Sequence, residues 1–206
     1  RGKTFDALVC SDMLDLPTFR GLAPQLARVP ALVYFHENQL TYPVRREEPR
    51  DAHFAFTNIA TAAAADALWF NSAFHRDAFL AAARELLGRM PDHSPTWAVD
   101  RAAELAEVRC PPIEPLGGRS GGRAPGPLRI VWAARWEHDK GPDALLAAVG
   151  LLAERGVDFE LSVLGERFAE VPGAFERLRK LLGARARRWG YLPDRADYAA
   201  EMRSAD

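Results

Sequence analysis

Scarcity marks this chain first. It holds two cysteines and a net charge of -1 in 206 residues. Cys10 and Cys110 are isolated, so they build neither a disulfide framework nor a zinc site, and they read as reduced thiols of a cytosolic protein. The near-neutral balance gives no global pull toward nucleic acid, so any RNA contact has to come from local patches. The longest apolar run, residues 59–70, is Ala-rich, is interrupted by Asp66 and is too short to span a bilayer. Nothing at the start reads as a signal peptide. Several motifs are missing too. The GGRSGGR stretch lacks a GK[ST] ending and follows no strand, so it is not a P-loop. No GxGxxG follows a strand, which weakens a dehydrogenase reading, and no GxSxG nucleophile elbow is present.

What is there alternates. Strand-like patterns cover 5–10, 31–35, 67–70, 107–110, 128–134, 159–164 and 187–190. Helix-like patterns cover 18–27, 53–65, 72–87, 99–107, 143–155, 173–182 and 195–202. Ser72 reads as an N-cap. Strands buried on both faces and separated by helices imply parallel sheets with right-handed crossovers. The stretch PIEPLGGRSGGRAPGP breaks the pattern and reads as a linker. The expected organisation is therefore an α/β chain of two Rossmann-like domains. Residues 1–114 form the N-terminal domain, 115–127 the linker and 128–206 the C-terminal domain. A ligand is expected between the halves, at the C-terminal ends of the strands. The chain starts at Arg1 without Met and stops just after an amphipathic helix, which reads as an internal fragment with both domains truncated.

Two loops carry the chemistry. RWEHDKGP, residues 135–142, follows a buried-looking strand and opens a helix. Unpaired backbone N–H groups and the helix dipole favour an anion there. Arg135 can grip a diphosphate as a bidentate fork, and Lys140 adds a compact charge. Gly141 lets the backbone come close, and Pro142 suits a helix start. A solvated, charge-rich turn is the bland alternative. His36, Glu37, Asn38 and Gln39 end the apolar strand ALVYF, where polar residues point at the crevice of a doubly wound sheet. HE invites a zinc reading, but HExxH needs a second His where Leu40 stands. His36 can instead donate a hydrogen bond to a sugar or a leaving-group oxygen, or simply anchor its loop. Gly165, Glu166, Tyr191 and Leu192 lie at strand ends and flank a nucleotide or form plain turns. Arg177, Arg179, Lys180, Arg185, Arg187 and Arg188 make a basic run that reads first as a solvated face and second as an RNA contact. Arg45, Arg46 and Arg50 form another basic set.

Taken together, the segments YFHENQLTYP (34–43), HFAFTNIATAAAAD (53–66), LWFNSAFHRDAFL (68–80), RWEHDKGPD (135–143), SVLGERFAEVP (162–172) and WGYLPDRADY (189–198) make the chain resemble the tRNA-queuosine α-mannosyltransferase family. The resemblance runs over nearly the whole chain, and HENQLTYP and RWEHDK are its most specific parts. It implies a GT-B fold, GDP-mannose as donor and the queuosine base of a tRNA anticodon as acceptor. It also implies that Arg135 and Lys140 hold the donor diphosphate and that His36 sits near the transferred sugar. Gly165 and the Tyr191-Leu192 backbone would lie near the nucleoside, and Asn38, Gln39 and Tyr42 would line the cleft, with Glu37 beside them. No metal or other cofactor is expected, because the Arg/Lys pair takes over the neutralising role of a cation. Members of the family carry a glycine-bearing strand–helix unit ahead of the segment matching residue 1. They also carry a Glu-containing segment beyond residue 206. Two other readings stay open: a GT-B enzyme using another sugar nucleotide on a glycan or lipid, and a non-catalytic nucleotide- or RNA-binding module.

Overall fold

A computed structural model of the chain describes residues 4–43, 52–117, 125–168 and 170–206. Arg45, Arg46, Arg50 and the middle of the Gly/Pro-rich linker fall outside them. The chain divides into two compact units, Arg1–Pro112 and Ile113–Asp206. Each unit is α/β, built on a parallel sheet with helical crossovers, and thus Rossmann-like.

The first unit runs β1 (Leu8–Ser11), α1 (Leu16–Leu22), β2 (Ala31–Phe35), α2 (Ala52–Ala64), β3 (Ala67–Phe70), α3 (Ala73–Gly88), α4 (Trp97–Leu105) and β4 (Ala106–Val108). Strand order is β1-β2-β3-β4, so the chain steps across the sheet in one direction. Right-handed crossovers that all step one way place all their helices on one face. One core accordingly takes Leu16 from α1, Ala62 from α2, Phe79 from α3 and Ala102 from α4, against Val33, Phe35, Leu68 and Phe70 of the strands. The expectation of strands buried on both faces fails here. Burial alternates along β1, β2 and β3, and Val9 on the other face is 76% exposed.

Two elements shift for physical reasons. β1 starts at Leu8 rather than residue 5, because pairing begins at Leu8 opposite Ala31, the first residue of β2. α1 starts at Leu16 and stops at Leu22 rather than covering 18–27. The Asp15 carboxylate caps its start by accepting from the Thr18 N–H at 3.0 Å. Pro24 has no N–H to continue the helix and forces a separate 3₁₀ turn, Pro24–Leu26.

The second unit runs β5 (Leu128–Ala133), α5 (Pro142–Glu154), β6 (Phe159–Leu164), α6 (Ala174–Leu182), β7 (Ala186–Gly190) and α7 (Arg195–Ser204), in strand order β5-β6-β7. β6 is the central strand and is buried along almost its whole length. Its Phe159, Leu161 and Val163 pack with Val149 of α5 and with Phe175, Leu178 and Leu182 of α6. The buried Ser162 hydroxyl donates to the Glu201 carboxylate at 2.5 Å and ties α7 to the same strand. Before β5, the segment carrying Glu114 and Leu116 runs against α7, where it meets Arg195 and Arg203.

Register decides what happens at the strand ends. Phe35 pairs with Phe70, and Ser11 with Tyr34. In the other sheet Ala133 pairs with Leu164, and Leu164 with Gly190. Asp12, His36 and Asn71 therefore gather at one end of the first sheet. Ala134, Gly165 and Tyr191 gather at the corresponding end of the second. Ligand crevices of parallel sheets form at these ends.

Candidate functional site

In the first unit the His36 backbone is gripped from both sides. Its N–H donates to Asp12 Oδ1 at 3.0 Å, and its carbonyl accepts from Asn71 Nδ2 at 2.7 Å. The ring stays exposed and stands edge-on to Tyr34, with centroids 4.5 Å apart. His36 lines a cavity of about 370 Å³ together with Tyr34, Trp69 and Arg109.

The residues after it divide into builders and presenters. Asn38 is 2% exposed, and its amide shapes the loop. Asn38 Oδ1 accepts from the N–H groups of Leu40 and Thr41, at 3.1 and 3.0 Å. Asn38 Nδ2 donates to Thr41 Oγ1 at 2.9 Å. This is how an Asx side chain replaces a backbone turn. The Tyr42 N–H closes the same turn on the Asn38 carbonyl at 3.1 Å. Glu37 and Gln39 are half-buried and bond to each other, Gln39 Nε2 donating to Glu37 Oε1 at 3.1 Å.

Behind the loop lies a buried polar set that sequence reading missed. Asp12 is 1% exposed. Asn58, in the middle of α2, donates to the Asp12 carbonyl at 3.0 Å and accepts from the Gln39 N–H at 2.7 Å. Asn71 reads from sequence only as part of a capped helix start. It also holds His75, whose Nδ1 lies 3.0 Å from Asn71 Oδ1. Burial pushes the His75 imidazole below its ordinary value, with the Asp12 carboxylate pulling it partly back. Asp12 Oδ2 and His75 Nε2 have no hydrogen-bond partner among the described residues. One signal was available: a lone Asn on the buried face of an Ala-rich helix has to bond something.

In the second unit Gly141 takes φ 71°, ends a short 3₁₀ turn, His138–Lys140, and lets Pro142 begin α5. Gly141, at the N-cap of α5, has no side chain to cap the helix start. Arg135 is half exposed, and its guanidinium sits 3.2 Å from the Glu137 carboxylate. Lys140 Nζ lies 2.6 Å from Asp139, whose side chain is nearly buried. Both cations thus already have a carboxylate neighbour.

Between these two residues the chain dives inward. Trp136 is 2% exposed, stacks on Phe175 with centroids 4.4 Å apart, and meets Trp189 edge-on at 5.3 Å. Its backbone N–H donates to the Glu166 carbonyl at 3.0 Å, which brings the β6 end against this loop. The contact is so close that Gly165, at φ 147°, has room for no side chain. A Cβ there would lie 1.8 Å from the Ala134 carbonyl oxygen. Arg135, Gly165, Glu166, Tyr191 and Leu192 line one cavity of about 250 Å³. Lys140 and Gly141 are not in its lining. Among the described residues no three His, Cys, Asp or Glu side chains gather as a metal site, and no helix is long and apolar enough to cross a membrane.

Residues 1–113 match the family model for the N-terminal part of tRNA-queuosine alpha-mannosyltransferase. The chain belongs to that family. Among its relatives is a tRNA-queuosine alpha-mannosyltransferase of Drosophila melanogaster, 33% identical over 216 aligned residues. The alignment takes in all of this chain and 57% of that relative. The family model covers the polar cage and the His36 loop, and the likeness to the fly protein extends through the Arg135 and Gly165 turns.

Proposed function

We propose that the protein transfers mannose from GDP-mannose to the queuosine of a tRNA, in the cytoplasm and with retention at the anomeric carbon. Membership of the tRNA-queuosine alpha-mannosyltransferase family carries this reading. The strand-end cavity of the second unit supports it, because it offers a glycine-lined wall, an arginine and an aromatic residue to a nucleotide.

The chemical difficulty is departure of the nucleoside diphosphate. Arg135, Lys140 and the uncapped start of α5 meet its growing negative charge. A diphosphate displaces Glu137 from Arg135 and competes with Asp139 for Lys140, so both cations change partners when donor binds. Gly165 allows close backbone approach, and Glu166, Tyr191 and Leu192 hold the nucleoside. His36 donates a hydrogen bond to the sugar or to the leaving oxygen. Glu37, Gln39 and Tyr42 meet the acceptor, and Asn38 holds their loop in shape. No side chain of the site is assigned as a covalent nucleophile. The acceptor attacks from the face that the phosphate leaves, and the phosphate takes the acceptor proton.

The test is direct. Full-length protein is incubated with GDP-mannose and queuosine-containing tRNA, the RNA is digested, and hexosylated queuosine is sought by mass spectrometry. The expected adduct falls on the order of a hundredfold or more with Arg135→Ala. Donor binding without an adduct would assign another acceptor. A glycosyl adduct trapped on Glu37 or Glu137 would replace the same-face mechanism with a double displacement.

A further inference from the structure

The second unit has another cavity, of about 220 Å³, that shares no lining residue with the one holding Arg135 and Tyr191. Trp136, Trp189, Phe175, Arg167 and Arg179 line it. The Arg167 guanidinium lies over the Trp136 ring, 4.5 Å from its centroid, and that of Arg179 lies 5.0 Å from the Trp189 centroid. Neither has a carboxylate partner among the described residues. Arg177, Lys180, Arg187, Arg188 and Arg195 of the same unit all do. Glu176, on the same wall, is taken by Lys180 at 2.7 Å. The buried indole N–H of Trp136 has no acceptor among the described residues either. The pocket therefore presents two fork-shaped cations, with the one carboxylate of its described lining already engaged. A guanidinium held over an indole face still has N–H groups to offer an oxyanion.

We propose that this pocket receives a phosphate of the RNA backbone. Its two guanidiniums fit a single phosphate group of a larger ligand. RNA offers such groups singly along its strand, and contacts to them position the substrate without reading its sequence. The inference rests on the reading that the acceptor is a tRNA.

The experiment is tRNA binding by the full-length protein, followed by fluorescence anisotropy over a salt series. Arg167→Ala combined with Arg179→Ala is expected to weaken binding roughly tenfold. It is also expected to flatten the slope of log K against log salt by about 0.7 to 0.9, the share of one phosphate contact. Affinity for GDP-mannose stays unchanged. Replacing both arginines by lysine keeps the slope and loses part of the affinity, which separates charge from misfolding. An unchanged slope and affinity in the double alanine variant, with wild-type binding and transfer intact, overturns this pocket alone. Lost affinity for GDP-mannose instead assigns the pocket to the donor and also overturns the proposal. A wild-type protein that binds no tRNA overturns the acceptor reading and this inference together.

Discussion

The turn after β2 and the turn after β5 both leave the C-terminal end of a parallel strand, the first from inside its sheet and the second from an edge, and they are held by different forces. The first hangs on buried polar side chains. Asp12 and Asn71 grip the His36 backbone, and Asn58 grips Gln39. The second hangs on aromatic packing and a steric fit. Trp136 is driven between Phe175 and Trp189, and Gly165 closes against Ala134. Hydrogen bonds fix direction while adding modest net stability. Burial of a large aromatic adds much stability and belongs to the core itself. The His36 turn can therefore be disturbed without unfolding its unit, whereas the Arg135 turn cannot.

The most damaging way to break the comparison is Gly165→Ala. The new Cβ would meet the Ala134 carbonyl oxygen at 1.8 Å in a backbone with φ 147°, and neither backbone can yield without opening the β5–β6 end. A loss of about 4 kcal/mol or more is expected, the range reserved for strain and overpacking. Urea denaturation followed by tryptophan fluorescence should lose the transition that reports Trp132, Trp136 and Trp189. Signals from Trp69 and Trp97 in the first unit should persist. A loss under about 1 kcal/mol would mean that the two strand ends separate freely.

Trp136→Ala comes next. Removing a fully buried indole from the second core is expected to lower stability by about 3–5 kcal/mol. It should weaken donor binding too, because Arg135 and Glu137 flank the missing anchor. The counterpart in the first unit is His36→Ala, whose side chain is exposed. That change should stay within about 0.5 kcal/mol by denaturation while activity falls. Equal stability losses in the two variants would erase the distinction between the turns.

Much of this was readable beforehand, for an identifiable reason. The strands 31–35, 67–70 and 159–164 are short apolar runs bounded by turn residues, and the structure reproduces all three ranges. Ser72 caps α3 as its residue type suggests, accepting from the His75 N–H. The one-faced packing of the first sheet was less visible, because it follows from strand order, which periodicity does not encode. The polar cage stayed hidden for a related reason. Asp12, Asn58 and Asn71 lie on three elements, more than a dozen residues apart, and only parallel register brings them to one point. From sequence Trp136 reads merely as part of a charged loop. A tryptophan among five charged or titratable neighbours is a candidate anchor, since so large an apolar surface is seldom left in water.

Asp12 sharpens the comparison from the other side. Asp12→Ala strips the acceptor from the His36 N–H inside a buried site and should cost about 1–3 kcal/mol. Asp12→Asn keeps an acceptor oxygen and should recover part of that. If the carboxylate serves only to hold His36, turnover in the two variants should follow the same order, with KM for GDP-mannose nearly constant. Full activity in Asp12→Ala would show that the His36 turn keeps its shape without the grip.

The smallest effect is a pH dependence confined to the first unit. Burial holds the His75 imidazole below its ordinary value of 6.5, and the Asp12 charge offsets this only in part. The folded protein then binds a proton less readily than the unfolded chain does. By linkage, stability rises with pH wherever the unfolded state carries more protons. The contribution of neutral His75 is therefore complete above about pH 6.5 and is lost as the pH falls below it toward the lower folded value. The rings of Trp136, Phe175 and Trp189 carry no titrating group, so the clasp of the second turn adds no such slope. Urea midpoints measured between about pH 7.5 and 5.5 should fall for the wild type and fall less for His75→Gln. Asp12→Asn removes the opposing charge, lowers the folded value of His75 further, and should carry the decline to more acidic pH. Parallel midpoint curves for wild type and His75→Gln would mean that the buried imidazole takes up its proton without penalty and that the cage is wetter than its packing implies.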